Sequence, residues 1–262
     1  MFRAKRNLSD RRVLITGASS GIGEALALRL SKSRARLLLT ARRRERLDLL
    51  TTQIHQQGGE AHFYPGDITN PELRRELLAV SKHKLGGLDI LINNAGVGGI
   101  GTFSSADEAR LRQIMEVNFF APAELIRSAL PMLCESEDGL VVNVGSVLGH
   151  CAVPKKSEYC ASKFALHGLT DSLRMELAEK RVDVLLVSPS TTSSEFFDQA
   201  LRSEGDAARN DTSMTPATVA RHIVCAMQQR RREVILSFGG KLLVWADRLA
   251  PGLMNRLLRV YG

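Results

Sequence analysis

The sequence of 262 residues predicts one α/β domain, a doubly wound parallel sheet of Rossmann type with helices on both faces. Three observations carry that expectation. Short apolar runs alternate strictly with segments of helical period. Runs such as "LLL" at 37–39 and "VLLV" at 184–187 are apolar at every position, as strands covered on both faces are. The first run ends in glycines, Gly17, Gly21 and Gly23, directly ahead of a helical segment.

Taken in order, "RRVLITGA" is a short apolar run closed by glycine and predicts the first strand. "GIGEALALRLSKS" has helical spacing at Ile22, Ala25, Leu26 and Leu30. "RLLLTA" is the second strand and "RRRERLDLLTTQIHQQ" a charged helix. "AHFYPGD" is the third strand, after which Pro71 opens the helix in "NPELRRELLAVSKHK". "LDILINNAG" is the fourth strand. The helical stretch 105–133 follows, broken near Pro122, and "GLVVNVGS" is the fifth strand. A helix through 158–180 leads to the sixth strand, "VDVLLVSPS". Residues 190–215 are polar and irregular, and their length predicts a lid over a substrate. The helix "TPATVARHIVCAMQQ" and the strand "REVILS" close the fold. Residues 240–262 form an amphipathic extension, with Leu242, Trp245 and Leu249 before Pro251 and Leu253, Leu257 and Tyr261 after it.

Composition narrows the function classes. A 44% hydrophobic, 24% charged chain of this length can bury one sizeable core. Cys134, Cys151, Cys160 and Cys225 show neither CxxC nor zinc-type spacing, so reduced thiols, no metal site and a cytoplasmic location are expected. The N-terminal stretch lacks the apolar core of a signal peptide, and no apolar run is long enough to span a membrane. The net charge of +8 is uneven: residues 1–50 hold thirteen Lys/Arg against four Asp/Glu, and residues 221–262 hold eight against two. Phosphorylated ligands, anionic lipid and nucleic acid all suit such ends on charge alone. Nucleic acid is not expected as a partner, because aromatics are 5% of the chain and no stacking platform or base-reading motif is present.

Gly17, Gly21 and Gly23 lie where the first strand turns into the first helix. Glycines there let the backbone turn sharply and approach a pyrophosphate, and the helix N-terminus supplies unpaired N–H groups. The spacing is G-x-x-x-G-x-G. About 20 positions on, where dinucleotide folds read the adenosine ribose, stand Thr40, Ala41, Arg42 and Arg43, with no acid before Glu45. Guanidinium groups pair with phosphate, so NADP(H) is favoured over NAD(H), with Arg42 as first candidate. Tyr159 and Lys163 are four apart and share a helix face. An ammonium near a phenol lowers its pKa and lets it pass a proton near neutral pH. Ser146 ends the fifth strand, on the edge where parallel sheets gather ligands.

With "TGASSGIG" at 16–23, Asp67, "NNAG" at 93–96, Asn118, Ser146 and "YCASK" at 159–163, the chain resembles the short-chain dehydrogenase/reductase family over about residues 10–240. The resemblance implies an oxidoreductase moving a hydride between a nicotinamide and a carbonyl or secondary alcohol. It makes Tyr159 the general acid/base, helped by Lys163, which also holds the nicotinamide ribose. Ser146 would hydrogen-bond the substrate oxygen, and Asn118 would support a water-linked proton path. Gly17, Ser19, Ser20, Gly21, Ile22 and Gly23 would hold the cofactor, with Arg42, Arg43, Asp67, Ile68, Asn93, Ala95, Gly96, Pro189, Thr191 and Thr192. Asn94 reads instead as a tie between neighbouring strands. One departure stands after the sixth strand: Ser190 replaces the family's common glycine, and Ser194 sits where a threonine is usual. The alternative reading is a cofactor-binding regulator or scaffold of the same fold.

Leu148, His150, Val153 and Phe196, with Phe197, suggest an apolar substrate pocket around Ser146 and Tyr159. The family resemblance implies a homodimer or homotetramer packed partly through 105–133 and 157–180. The amphipathic tail is expected either to bury its stripe in the fold or a subunit contact, or to lie on an anionic membrane surface as a peripheral contact.

Overall fold

Residues 4–192, 200–202 and 214–259 are described by the computed structural model. Seven of the apolar runs pair into one parallel sheet: β1 (Arg12–Thr16), β2 (Arg36–Thr40), β3 (Glu60–Phe63), β4 (Ile90–Asn93), β6 (Leu140–Val144), β7 (Asp183–Ser188) and β9 (Glu233–Ile235). Their spatial order is β3-β2-β1-β4-β6-β7-β9. The chain therefore winds outward from β1 to β3, returns to β4 and winds outward the other way. The switch falls between β1 and β4, where Leu14 pairs with Leu91, and it opens a crevice at their carboxyl ends. A two-stranded parallel pair, β5 (Gly99–Ile100) with β8 (Leu201–Arg202), lies apart from this sheet.

Strand alternation assigns each side chain to a layer. Ile90 and Ile92 pack with α1 (Gly21–Lys32), α2 (Arg44–Gln56) and α7 (Pro216–Gln228). Leu91 packs with α3 (Pro71–Val80), α5 (Ala121–Glu135) and the end of the α6 region (α6, Ser157–Glu176). Both faces are thus covered, which is why the strands are apolar throughout. Asn70 caps α3 by accepting from Glu72 N at 2.9 Å, with Pro71 in the first turn. The break expected near Pro122 is a π-helical turn at Glu116–Phe120 between α4 (Glu108–Met115) and α5. The tail forms α8 (Phe238–Leu249) and α9 (Pro251–Leu258), parted at Ala250.

The lid expected over 190–215 lies largely outside the described residues. Its described part contributes β8, which pairs with the "GI" of β5, and Met214 N donates to Thr191 O at 3.0 Å. Phe196, expected on the substrate wall, is outside the described residues, as are Phe197, Ser194 and Tyr261.

Candidate active site

A cavity of about 1400 Å³ runs along the carboxyl edge of the sheet, from the glycine loop to the tail helices. The loop is shaped by sterics. Gly17 and Gly21 hold φ of 65° and 58°, the left-handed region that favours glycine. A Cβ on Gly23 would stand 2.2 Å from Gly17 O and 2.6 Å from Asn94 Nδ2, so only glycine lets α1 pack on the loop. Asn94 stitches this turn to β4: its Nδ2 donates to Thr16 O at 3.0 Å and Gly17 O at 3.1 Å. Thr16 Oγ1 accepts in turn from Asn94 N and Ala95 N, both at 3.0 Å. Ser20 precedes α1 with no side-chain cap bond, and Gly21 and Ile22 of its first turn line the cavity. A helix N-terminus left open in this way attracts anions.

Ser19, Arg42, Arg43, Asp67 and Ile68 close the far end of the cavity. Arg43 Nε donates to Ser19 Oγ at 3.2 Å, which ties the end of β2 to the glycine loop. Arg42 is exposed and lines the same wall. Asp67 forms a turn as well, accepting from Thr69 N at 3.0 Å. Ala95, Gly96, Pro189, Thr191 and Thr192 also face the cavity. Ser190, in the place of the family's glycine, is not at positive φ, so the replacement strains nothing.

At the centre stand Ser146, Tyr159 and Lys163. Ser146 follows β6 and caps the turn Val147–Gly149, accepting from Leu148 N at 3.1 Å. Gly149 packs that turn on α6, where a Cβ would stand 2.8 Å from Lys163 O. Tyr159 is hydrogen-bonded to Ser146. Lys163 Nζ lies 5.8 Å from the Tyr159 ring centroid and donates to Val144 O at 3.0 Å. The two side chains therefore face one another, as their spacing predicts. The expected acidification, however, is not a property of the protein alone. Burial pushes the Tyr159 phenol up to about 12, and burial lowers the Lys163 amine to about 8. A buried phenol of this kind holds its proton at neutral pH. Arg110 grips Glu158, beside Tyr159, through two hydrogen bonds of 3.1 and 2.5 Å, and also donates to Ile100 O at 3.1 Å. This buried clamp fixes the start of α6 against β5.

Several expected site residues lie elsewhere. Asn93 does not line the cavity: alternation puts it on the Leu91 face, where its Nδ2 donates to Asn143 Oδ1 at 2.9 Å. Asn143 passes the contact to Thr170 of α6 at 2.9 Å. Gly23 shapes the loop from behind without lining the cavity. Asn118, in the π-turn, is also behind the wall. It accepts from Val97 N at 2.8 Å and donates to Val97 O at 2.9 Å and Ser162 Oγ at 3.0 Å, so its side chain fixes the loop after β4 against α6. His150 is not in the substrate pocket, because the turn after Ser146 carries it to the rear of α6. There it bonds Ser188 Oγ at 2.7 Å, its ring 4.3 Å from that of His167, and burial lowers it to about 4. His150, His167 and Glu233 bring ligand-type atoms within 4.8 Å of one another, in a cleft bordered by both Arg248 and Asp171.

Leu148 and Val153 do line the cavity. Sequence reasoning missed Gln113, Glu116 and Lys156 on the same wall, and above all the roof: Gly240, Leu243, Met254, Leu257 and Leu258 of α8 and α9. Gly240 is the signal for the roof. A Cβ there would stand 2.8 Å from Val147 Cγ2, so the glycine lets α8 settle on the turn next to Ser146.

A family model described as short chain dehydrogenase matches residues 11–205. The ketoacyl reductase HetN of Nostoc sp. is 31% identical, over 97% of this chain and 90% of its own length. Mouse dehydrogenase/reductase SDR family member 7B is 30% identical, over 98% of this chain and 83% of its own. A short chain dehydrogenase/reductase of Burkholderia phymatum, crystallised in complex with NAD, superposes with a TM-score of 0.87 at 23% identity, over 95% of this chain and 96% of that one. That last likeness concerns the fold.

Proposed function

The chain belongs to the short-chain dehydrogenase family, and we propose that it is an NADP(H)-dependent oxidoreductase acting on the carbonyl or secondary alcohol of a small apolar substrate. The observation that carries this reading is the Ser146–Tyr159–Lys163 group, gathered at one point of a cavity whose other end is a glycine cradle. The cradle fits a dinucleotide: Gly17 and Gly21, both on the cavity lining, hold the left-handed φ of a sharp turn, and the α1 N-terminus is uncapped beside them. A nicotinamide cofactor bound there supplies the hydride for a carbonyl carbon. Tyr159 Oη gives its proton to the carbonyl oxygen while Ser146 Oγ hydrogen-bonds that same oxygen. The Lys163 ammonium faces the phenolate left behind and stabilises it. In the oxidation direction each transfer reverses.

Arg42 and Arg43 support the choice of NADP(H). Both border the cavity just past β2, in a segment with no acid before Glu45, and Arg43 is already oriented by Ser19. Leu148, Val153, Leu243 and Met254 support an apolar substrate. Phe120, just before α5, and Phe164, on α6, are 48% and 43% exposed, and support assembly of copies through these two helices.

The test is NADPH oxidation against a panel of apolar ketones and aldehydes. Tyr159→Phe is expected to lower turnover roughly a thousandfold while NADPH affinity, read by fluorescence titration, stays within a small factor. Unchanged turnover in that variant removes the mechanism. Absence of turnover in the wild type with intact NADPH binding favours the scaffold reading.

A further inference from the structure

Six of the eleven exposed large apolar side chains among the described residues fall within 238–257. On α8 they are Phe238, Leu242, Trp245 and Leu249, between 59% and 83% exposed and spaced as one helical stripe. On α9 they are Leu253 and Leu257, 58% and 52% exposed. The opposite faces of the same two helices, through Leu243, Met254 and Leu258, roof the cavity. Lys241, Arg248, Arg256 and Arg259 are all exposed beside the stripe, and Asp247 is the only acid between 237 and 259. No residue of α9 is buried.

We propose that the outer face of α8–α9 docks on an anionic lipid bilayer, and that apolar substrate passes from the bilayer into the cavity beneath α9. An exposed apolar stripe flanked by cations and carrying a tryptophan is what the headgroup boundary of such a bilayer receives. A second copy of the chain is a poorer occupant. A two-fold contact would bring the four cations of each copy against the same four, and the face holds one acid to offset them. Leu257 belongs to both surfaces, half exposed and on the cavity wall, so it marks the mouth. The two helices differ in hold. α8 is anchored by Val244, 2% exposed, and by the close approach of Gly240 to Val147, whereas α9 hangs from it through Ala250 and Pro251. The helix free to swing is the one over the mouth. Docking stands independently of the oxidoreductase reading; only the delivery step rests on it.

Sedimentation of the full chain with phosphatidylcholine vesicles, with and without phosphatidylserine, tests docking. The protein is expected to pellet with the phosphatidylserine vesicles and to be released by salt. The pair R256Q/R259Q should weaken that binding roughly 30-fold, and L249E/L253E should abolish it. None of these four residues lines the cavity, so turnover of a short water-soluble ketone and the melting temperature should stay at wild-type values in both variants. With a long-chain ketone dissolved in the vesicles, L249E/L253E should lose roughly tenfold or more. Failure of the wild type to pellet at low salt overturns docking, and so does unchanged pelleting of L249E/L253E. Docking is likewise overturned if light scattering shows that the substitutions split a dimer. Equal turnover of the vesicle-borne ketone by both proteins overturns the delivery step alone.

Discussion

The strand-edge wall of the cavity and its helical roof face the same space but are held by different means. On the wall, each feature is fixed by backbone neighbours: Asn94 bonds two carbonyls of the glycine turn, Lys163 bonds Val144 O, and Gly23 admits no added atom. On the roof, α8 touches down at Gly240 and Val244, and α9 is held by partly exposed side chains alone. A site for one cofactor shape rewards preorganisation. An entry for substrate needs an element of low local stability. The difference makes the wall intolerant of small changes and the roof tolerant of them.

The largest expected effect is at Gly23. Gly23→Ala sets a methyl 2.2 Å from Gly17 O, a clash with backbone that no rotamer relieves. It should cost about 3 kcal/mol, read as a melting temperature roughly 6–12 °C lower, and NADPH binding should be lost with it. A variant that melts like the wild type and binds NADPH would show that the wall yields as the roof does.

Next is Lys163→Met, where wall chemistry and wall stability part. The folded chain releases the Lys163 proton near pH 8, against an ordinary 10.5. Between those values the unfolded chain carries more protons, so stability rises as pH climbs through that window, and the cost of the buried ammonium is fully present below it. Tyr159 acts with opposite sign: folded at about 12 against an ordinary 10, it lets stability fall between those two values. Removing the ammonium and its bond to Val144 O should therefore stabilise the protein by about 2 kcal/mol at pH 7. The rise between pH 8 and 10.5 should flatten, and turnover should vanish. Chemical denaturation across that pH range checks all three, and a less stable variant at pH 7 would show that Lys163 is a structural tie.

Arg42→Asp comes third. Loss of one exposed guanidinium partner, with an acid put in its place, should weaken NADPH binding roughly tenfold and leave NADH affinity equal or better. Paired titrations measure the ratio, and an unmoved preference would leave Arg42 as a solvated helix start.

The wall was the legible part of the chain because its signals are short-range. The strand runs form where the apolar pattern predicts them, though they end at Thr16, Asn93 and Val144, short of the glycines and of Ser146, and the Tyr159–Lys163 spacing alone puts both on one face. Within it, the family resemblance assigns Asn93 to the cofactor while Asn94 reads as a strand tie, and strand parity makes Asn93 a tie as well. Asn93 falls in step with Leu91 and turns into the α5–α6 layer, whereas Asn94 passes the strand end and reaches the glycine turn. His150 misled because a three-residue turn reverses the chain just before it, and that turn depends on Gly149 packing against Lys163 O, a contact of sequence distance 14. The roof was legible as amphipathic helices but not as a roof. Its amphipathic pattern names an apolar stripe without saying what the other face covers, and the docking point, Gly240 on Val147, joins residues 93 apart.

The smallest effect sharpens the contrast most. A Cβ on Gly252 meets nothing within 4 Å, and the residue sits in the first turn of α9 without a left-handed φ. Gly252→Ala should therefore stiffen α9 by about 0.5–1 kcal/mol through lost backbone freedom in the open state. Because no residue of α9 is buried, that gain has no path into the cooperative core. The global melting temperature should hardly move, while amide exchange in 251–258 slows by roughly two- to fivefold. The same alanine step that lowers global stability at Gly23 would then register at Gly252 only in local exchange. If it raised the global melting point instead, α9 would unfold together with the sheet, and a hinged cover over the substrate end would no longer describe it.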